Sequence, residues 1–133
     1  MEASETRLPI QNETDVTRAV LYTGGFCAAL GFDKIRSQMV STAVSELARN
    51  IIKYATCGEV ILRAVFRGAS GGVEAVSIDQ GPGIEDVQQA MEDHFSSSGT
   101  LGLGLPGIKR MMDEFDIESE PGRGTRVTIR KWL

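Results

Sequence analysis

The stretch GTLGLGLPGIKR, residues 99–110, decides which kind of α/β fold this chain can adopt. Within it, Gly102, Gly104 and Gly107 match the G-x-G-x-x-G pattern of a dinucleotide-binding turn, which has to follow a buried strand and open a helix. The preceding residues, EDHFSSSGT, are too polar and too rich in serine for a buried parallel strand. The pattern therefore does not predict a doubly wound parallel sheet, although a helix is expected after it.

The same stretch is nevertheless suited to binding an anion. Glycines let the backbone approach a ligand closely, and a helix that begins near Pro106 offers unpaired N–H groups at its start. Lys109 and Arg110 would lie in the first turns of that helix. The Walker A pattern fails, because Ile108 follows Gly107 where a lysine is required. A phosphate-binding loop and a mobile loop before a helix both remain open.

Around this stretch, alternating and helical patterns predict nine elements in the order β-α-α-β-β-α-α-β-β. Their predicted bounds are 5–11, 13–31, 34–55, 59–67, 73–79, 84–92, 105–115, 115–119 and 125–132. Asn12 or Thr14, and then Asp33, are suited to begin the first two helices, and Gly31 to end the earlier one. Short turns between strands favour antiparallel pairs with the helices gathered on one face. We therefore expect one α+β domain over residues 1–133, a two-layer α/β sandwich with a mixed, mostly antiparallel sheet.

Composition and charge limit the partners that the chain can have. The 133 residues carry a net charge of −4, which argues against nonspecific binding to nucleic acids or to membranes. No apolar run reaches the roughly 20 residues of a membrane span, and the N-terminal MEASETRLPI lacks the apolar core of a signal peptide. We expect a cytoplasmic protein with no nucleic-acid partner and no membrane partner.

Cysteine and histidine are scarce. Cys27 and Cys57 have no C-x-x-C spacing and are expected to be small buried hydrophobic residues, while His94 is the single histidine. This set is too small for a structural zinc site.

The segment SELARNIIKY, residues 45–54, combines polar side chains on one edge of a predicted helix. At about 100° per residue, Glu46, Asn50 and Lys53 fall within roughly 60° of one another. A separate apolar stripe forms the expected core face: Val40, Val44, Leu47, Ile51 and Ala55. An asparagine oxygen suits Mg²⁺, a glutamate can accept a proton from a hydroxyl, and a lysine can offset phosphate charge. A solvated helix face would also account for these residues.

The segment DQGPGI, residues 79–84, begins with an aspartate at a predicted strand end. The ionised Asp79 can only accept hydrogen bonds, so it would bind the amino group of adenine and repel the corresponding oxygen of guanine. Gly81 and Gly83 would let a flat base lie against the backbone. An ordinary turn would use the same residue types.

A third segment, GRGT at residues 122–125, lies in a predicted hairpin turn, where Thr125 could add a hydroxyl beneath a base. Each of these patterns is weak alone. Together, E-x-x-x-N, D-x-G-x-G, a glycine-rich loop and G-x-G-T follow one another in this order along a mixed α/β chain. The ordered set predicts a nucleotide-binding cleft.

In these segments the chain resembles the GHKL ATPase superfamily, which has the Bergerat nucleotide-binding fold. ELARN is similar to its N box, DQGPG to its first glycine box, GLGLPG to its second and GRGT to its last. AVSELARN, SSGTLGLGLPGIKRMMDEF and KWL resemble more closely the RsbT-type switch kinases of the bacterial stressosome, a family related to the anti-sigma-factor serine kinases. The resemblance covers almost the whole chain.

This resemblance implies that Glu46 is the general base toward a substrate hydroxyl. The residues implied to bind ATP are Arg49, Asn50, Lys53, Asp79, Gly81, Gly83, Gly102, Leu103, Gly104, Leu105, Gly107 and Thr125. Among them, Asn50 would hold Mg²⁺, and Arg49 and Lys53 would reach phosphate or stabilise the rim of the pocket. Many sensor kinases carry alanine where this chain has Ile51, and Arg49 is unusual outside the switch-kinase group.

The other implied contacts concern the base and the phosphates. Asp79, with Gly81 and Gly83, would bind the adenine amino group, and Thr125 would support the base through water. Residues 95–104 would form a mobile lid over ATP. The phosphates would lie in a cradle of glycines and backbone amides: Gly102, Leu103, Gly104, Leu105 and Gly107.

The resemblance also implies an activity. The chain would use ATP and Mg²⁺ to phosphorylate serine or threonine on STAS-domain scaffold proteins, and would then leave the scaffold and activate a downstream partner such as a PP2C-type phosphatase. Two other interpretations stay open. The chain could be an ATP-binding module of the anti-sigma type that sequesters its partner with little or no kinase activity, or a structural interaction domain that binds no nucleotide.

Overall fold

The computed structural model describes residues 5–83, 91 and 104–133 of the chain. Its helices and strands are β1 (Glu5–Ile10), α1 (Glu13–Leu30), α2 (Lys34–Ala55), β2 (Gly58–Arg67), β3 (Ser70–Asp79), α3 (Gly104–Met111), β4 (Glu114–Glu120) and β5 (Gly124–Trp132). The helix predicted over 84–92 and the lid predicted over 95–104 fall almost wholly outside the described residues, and Gly102 and Leu103 fall outside them.

The five described strands form one sheet in the order β1-β2-β3-β5-β4, with the helices on one face. The predicted α+β class and two-layer sandwich are confirmed. The sheet was expected to be mixed and mostly antiparallel, and every neighbouring pair of the described strands is antiparallel. Two of these pairs, β2–β3 and β4–β5, are hairpins closed by short turns, and such a turn permits only antiparallel pairing.

Both long helices begin at the expected residues. The Asn12 side chain accepts a hydrogen bond from the Asp15 amide at 3.0 Å, and the Asp33 side chain accepts one from the Arg36 amide at 2.8 Å, as N-caps do. Gly31 ends α1 in the left-handed conformation, at a φ of 100°. Within the described parts of the chain, no helix is long and apolar enough to cross a membrane.

The third helix is shorter than expected. The sequence predicts it over 105–115, whereas α3 ends at Met111. The Asp113 amide donates to the Arg130 carbonyl at 3.0 Å, so the chain already pairs with β5 two residues after the helix. This pairing takes the following residues into β4.

The buried core lies between the sheet and the two long helices. Residues that pair across antiparallel strands share a face, and the inward face of the central strands is apolar: Val60, Leu62, Val73, Ala75, Val127 and Ile129. The predicted core stripe of α2 is confirmed in Val40, Val44, Leu47 and Ile51, which are at most 1% exposed. Ala55, at the end of that helix, is half-buried.

One end of this inward face is polar. Asp79 ends β3 and lies directly opposite Thr125, near the start of β5. The last turn of α2 reaches the same end, because Gly81, just after β3, packs closely against Ala55. The candidate site is built where the sheet leaves the apolar core and the helix ends.

The opposite face of the sheet carries an ion-pair cluster. Glu74, 3% exposed, accepts hydrogen bonds from Arg63 at 2.6 Å and from Arg130 at 2.7 Å. Burial raises the pKa of Glu74, but the hydrogen bonds and charges of the two arginines outweigh burial and lower its pKa overall. Arg130 also contacts Glu114, whose pKa is lowered first by a hydrogen bond from the Trp132 indole. The cluster joins β2, β3, β4 and β5.

Candidate active site

The floor of the candidate site is a row of three polar residues on neighbouring strands. Asp79 on β3 lies opposite Thr125 on β5, and Thr125 lies opposite Ser119 on β4. Side chains at directly opposed positions share a face, with Cβ atoms about 5 Å apart. The Ser119 and Thr125 hydroxyl oxygens are 2.9 Å apart. The inward face of the sheet therefore ends in oxygen atoms rather than methyl groups.

Asp79 keeps one carboxylate oxygen available for a ligand. Its Oδ1 accepts a hydrogen bond from the Gly81 amide at 2.9 Å, which fixes the side chain over the turn that follows β3. Within residues 5–83 and 104–133, no donor contacts Oδ2. The half-buried carboxylate can therefore accept a further hydrogen bond, as binding of an amino group requires.

The two glycine turns next to Asp79 pack against each other. The Gly122 amide donates to the Pro82 carbonyl at 2.6 Å. A Cβ atom at Gly124 would collide with the Asp79 carbonyl oxygen, and one at Gly83 with the Glu120 carbonyl oxygen at the end of β4. Both of these glycines have a positive φ, 89° and 79°, which other residues rarely adopt. The DQGPG and GRGT segments are thus a single packed unit.

Helix α2 is held beside this floor by close contacts at its C-terminal end. A Cβ atom at Gly81 would lie 2.6 Å from Ala55 Cβ. A Cβ atom at Gly58 would lie 3.0 Å from the Ile51 side chain and 3.2 Å from Asp79 Cβ, so these two side chains border the same glycine. Larger residues at the two glycine positions would push the helix away from the floor.

Glu46 and Asn50 lie on one edge of α2, about one turn apart. Both side chains are half-buried, and in the part of the chain that the structure describes neither makes a side-chain hydrogen bond or an ion pair. Asn50 is next to Ile51, which borders the same glycine as Asp79. The contacts with Gly58 and Gly81 thus place the C-terminal end of α2 beside the floor, while Asn50 and Glu46 lie about one and two turns before that end.

Arg49 and Lys53 flank this edge on its exposed side. The Arg49 guanidinium donates to Ser45 Oγ at 3.3 Å and lies 3.5 Å from the Glu13 carboxylate, so it faces the start of α1. The Lys53 ammonium lies 5.2 Å from the centroid of the Tyr54 ring. These contacts do not bring Arg49 to the floor of the site.

Helix α3 begins at Gly104, which has a φ of 64° and belongs to the glycine-rich stretch. Leu105 is half-buried and Gly107 is buried. The helix packs against α2. The helix whose start is predicted to bind phosphate therefore packs on the helix that carries Glu46 and Asn50.

Ser119 belongs to the site although no motif pointed to it. The only available signal was the alternation of the strand FDIES, which places Ser119 on the same face as Phe115 and Ile117. A serine at the end of an otherwise apolar inward face indicates a polar function there. Its hydroxyl also lies 3.1 Å from the Gly124 carbonyl oxygen, to which it donates.

The two cysteines lie in different environments, one in the core and one on the surface. Cys27 is buried as expected, and burial raises the pKa of its thiol to about 11. Cys57 was expected to be buried but is exposed, because it lies in the connection between α2 and β2. Among the described residues, no three His, Cys, Asp or Glu side chains are arranged to hold a metal ion.

Known proteins are similar to this chain in sequence. The family of histidine kinase-like ATPase domains matches residues 10–131. The chain is 44% identical over 124 residues to the serine/threonine-protein kinase RsbT of Bacillus subtilis (strain 168), covering 93% of each chain. It is 36% identical over 100 residues to the anti-sigma F factor of Caldanaerobacter subterraneus subsp. tengcongensis, covering 71% of this chain and 68% of that protein.

Solved structures have the same fold. The RsbU and RsbW domains of a Mycobacterium tuberculosis protein match with a TM-score of 0.65 at 20% identity, covering 98% of this chain and 32% of that one. The mycobacterial sensor histidine kinase MprB matches with a TM-score of 0.57 at 20% identity, covering 98% and 97%. Together with the family match over residues 10–131, these findings show that the chain belongs to the family of histidine kinase-like ATPase domains, the GHKL superfamily.

Proposed function

We propose that this enzyme, a serine/threonine protein kinase of the GHKL type, transfers the γ-phosphoryl group of ATP to STAS-domain scaffold proteins of a stressosome. The observation that carries the proposal is the open carboxylate oxygen of Asp79 beside the C-terminal end of α2, the helix that carries Glu46 and Asn50. The similarity to a serine/threonine-protein kinase over 93% of the chain supports the reaction class.

Asp79 is the residue that we propose recognises the base. Its Oδ2 accepts a hydrogen bond from the amino group of adenine, while Oδ1 stays bound to the Gly81 amide. Thr125, on the neighbouring strand, supports the base through water. Gly81 and Gly83 let the turn after β3 pack against Ala55 and Glu120, and this packing holds Asp79 in place for the base.

Glu46 is the proposed general base. The substrate hydroxyl oxygen bonds to the γ-phosphorus, the bond from that phosphorus to the bridging oxygen breaks, and ADP leaves. Glu46 takes the hydroxyl proton late, because phosphoryl transfer depends mainly on alignment and charge stabilisation. A half-buried carboxylate with no ion-pair partner among the described residues is free to accept that proton.

Asn50 is the proposed protein ligand of Mg²⁺, which neutralises phosphate charge when bound. Magnesium sites for nucleotides combine few protein oxygens with phosphate oxygens and water. The amide oxygen of Asn50 fits this chemistry, because its side chain is half-buried and has no hydrogen bond within the described residues. Lys53 supplies further positive charge, and Arg49 stabilises the rim of the pocket through Glu13.

The start of α3 is the proposed phosphate cradle. Gly104, Leu105 and Gly107 belong to it, together with Gly102 and Leu103 outside the described residues. Free N–H groups at a helix start favour anions, and the packing of α3 on α2 supports a cradle beside the helix that carries Asn50.

The proposed regulation involves release. After phosphorylating its scaffold in the cytoplasm, the kinase leaves it and activates a downstream partner such as a PP2C-type phosphatase. The similarity to RsbT over most of both chains supports this assignment within the family.

A second candidate function is sequestration of a sigma factor with little or no phosphoryl transfer. Its support is the similarity to anti-sigma F factors, at 34–36% identity over about 100 residues. The Glu46 carboxylate, which has no ion-pair partner among the described residues, favours the kinase, because a protein that only binds a partner needs no general base.

One experiment separates these functions. The full chain is incubated with Mg²⁺ and γ-labelled ATP and with a STAS-domain protein encoded near it. We expect label on a serine or threonine of the STAS-domain protein. Tight ATP binding without transfer would favour sequestration. If Mg·ATP at saturating concentration does not raise the unfolding midpoint of the chain, nucleotide binding itself is contradicted.

A further inference from the structure

The last residues of β5 hold the end of helix α3. The Lys131 ammonium donates to the Met111 carbonyl oxygen at 2.7 Å and lies 3.9 Å from the Asp113 carboxylate. The Trp132 amide donates to Asp113 Oδ2 at 2.8 Å, and the Asp113 amide donates to the Arg130 carbonyl oxygen at 3.0 Å. Consecutive residues of β5 therefore bind the chain where α3 ends.

The contact from Lys131 suits the chemistry of a helix end. The last carbonyl groups of a helix have no partner within it and carry partial negative charge, which a nearby lysine satisfies. Lys131 lies on the inward face of the sheet, opposite Val73, and its side chain is only 13% exposed. An ammonium group is costly to bury without a hydrogen-bond acceptor, so it is held at the Met111 carbonyl oxygen. Lys131 is also the first residue of the closing segment KWL, to which the proposed nucleotide site assigns no role.

Lys131 is too far from the floor of the site to touch a nucleotide there. It pairs with Val73, whereas Thr125, near the start of the same strand, pairs with Asp79. At about 3.4 Å per residue, these two positions on β5 are about 20 Å apart, which is more than a lysine side chain can span. An effect of Lys131 on nucleotide binding therefore has to pass through α3.

Helix α3 is short, so the contacts at its end influence where its start lies. Its eight residues, Gly104–Met111, span about 12 Å, and a helix of this length depends on tertiary contacts for its stability. Ile108, in the middle of the helix, is fully buried in the core. A second contact at the end fixes the direction of the helix about that point. Over about 12 Å, a tilt of about 5° would move the start of α3 by about 1 Å.

We infer that Lys131 is a positioning residue that fixes the direction of α3 and so aims the N–H groups at its start at the phosphates of the nucleotide. This inference rests on the proposed function, in which Gly104, Leu105 and Gly107 bind phosphate. Binding by such fixed N–H groups is sensitive to displacements of about 1 Å. Asp79 binds the base on the sheet, independently of α3. Lys131 therefore contributes to the binding of the phosphates and not to that of the base.

The test compares the contribution of the phosphates to binding in Lys131→Met and Lys131→Arg. Dissociation constants for ADP and for adenosine, which carries the base without phosphate, are measured by calorimetry on the full chain with Mg²⁺. Methionine has a similar shape but no charge and no donor. In Lys131→Met the ADP affinity should fall about three- to tenfold, the range for one hydrogen bond, while the adenosine affinity stays the same. Lys131→Arg keeps a charged donor and should bind ADP within about twofold of wild type.

Lys34→Met makes the same change at an exposed lysine at the start of α2, and this matched control should leave both affinities unchanged. Three outcomes would overturn the inference and leave the proposed function intact: an unchanged ADP affinity in Lys131→Met, an equal loss for both ligands, or an equally large loss in Lys131→Arg. If the wild-type chain binds neither ligand, the proposed function itself fails.

Asp113→Ala is a second variant that serves if Lys131→Met does not fold. Asp113 is exposed, and its replacement removes the acceptor of the Trp132 amide at the same end of α3. The ADP affinity should again fall while the adenosine affinity stays the same, and an unchanged ADP affinity would again overturn the inference. Unfolding midpoints of all variants show whether each is folded at the temperature of the titration.

Discussion

Asp79 and Thr125 lie directly opposite each other on antiparallel strands, on the sheet face that the helices cover. Further along the same two strands, the opposed residues Ala75 and Ile129 are buried in the core. The change from apolar to polar pairs marks the point where the sheet leaves the core and becomes accessible to a ligand. The nucleotide site proposed for this kinase is therefore an extension of its hydrophobic core.

We predict that Asp79→Asn weakens ATP binding about 10- to 100-fold. The amide keeps the shape of the side chain but removes its charge, and hydrogen bonds to charged groups contribute about 1.5–3 kcal/mol. Calorimetry of the full chain with ATP measures the effect.

The control for this variant is Asp116→Asn. Asp116 is exposed on the outward face of β4, and the same change of charge there should leave ATP affinity as it is. Equal ATP affinity for Asp79→Asn and wild type would remove Asp79 from the binding site.

A pair of glycine substitutions tests the contact that holds α2 beside the floor. In Gly81→Ala the added methyl group would lie 2.6 Å from Ala55 Cβ, so we expect a loss of about 1–3 kcal/mol in the free energy of unfolding, together with weaker ATP binding. Gly25→Ala, on the exposed side of α1 with nothing within 4 Å, should instead gain about 0.5–1 kcal/mol. Denaturant titrations measure both, and a neutral Gly81→Ala would contradict the close packing.

Glu74→Gln is expected to destabilise the chain in a pH-dependent way. At pH 7 the variant should lose about 2 kcal/mol, less than the 3–5 kcal/mol of a fully buried pair, because Arg63 and Arg130 stay partly hydrated. The lowered pKa of Glu74 means that the folded state favours the charged carboxylate. Its contribution is therefore complete above the unfolded pKa of roughly 4.3 and is lost as the pH falls through the folded pKa.

Urea titrations of wild type and Glu74→Gln between pH 3 and about pH 7 provide the measurement. The difference in the free energy of unfolding should shrink as the pH falls. A difference that stays constant, or that grows in acid, would show that the ion pairs of Glu74 do not act as described.

The elements of the fold were predictable because their signals are local. Asn12, Gly31 and Asp33 bound the long helices through side-chain caps and one left-handed residue, which depend on a few neighbouring residues. The end of α3 was not predictable, since it depends on the hydrogen bond between Asp113 and Arg130, which are far apart in sequence.

The candidate site also has some residues that the sequence predicts and others that only the tertiary structure reveals. Its motifs identified Asp79 and the glycines, whose conformations are set within a turn. Ser119 became visible only with the register of β4 and β5, and the contact between Arg49 and Glu13 only with the packing of α1 on α2. Glu74 was not predicted to be buried either, because its charge is stabilised by two arginines from other strands.

The central claim is that Glu46 accepts the proton of the substrate hydroxyl in a cleft whose floor binds ATP. The most direct test is the single-turnover rate of transfer from γ-labelled ATP to a STAS-domain protein, compared among wild type, Glu46→Gln and the outward-facing control Glu118→Gln. The account predicts that Glu46→Gln slows transfer about 10²- to 10⁴-fold, with ATP affinity nearly unchanged and Glu118→Gln at the wild-type rate. Transfer by Glu46→Gln at the wild-type rate would contradict it.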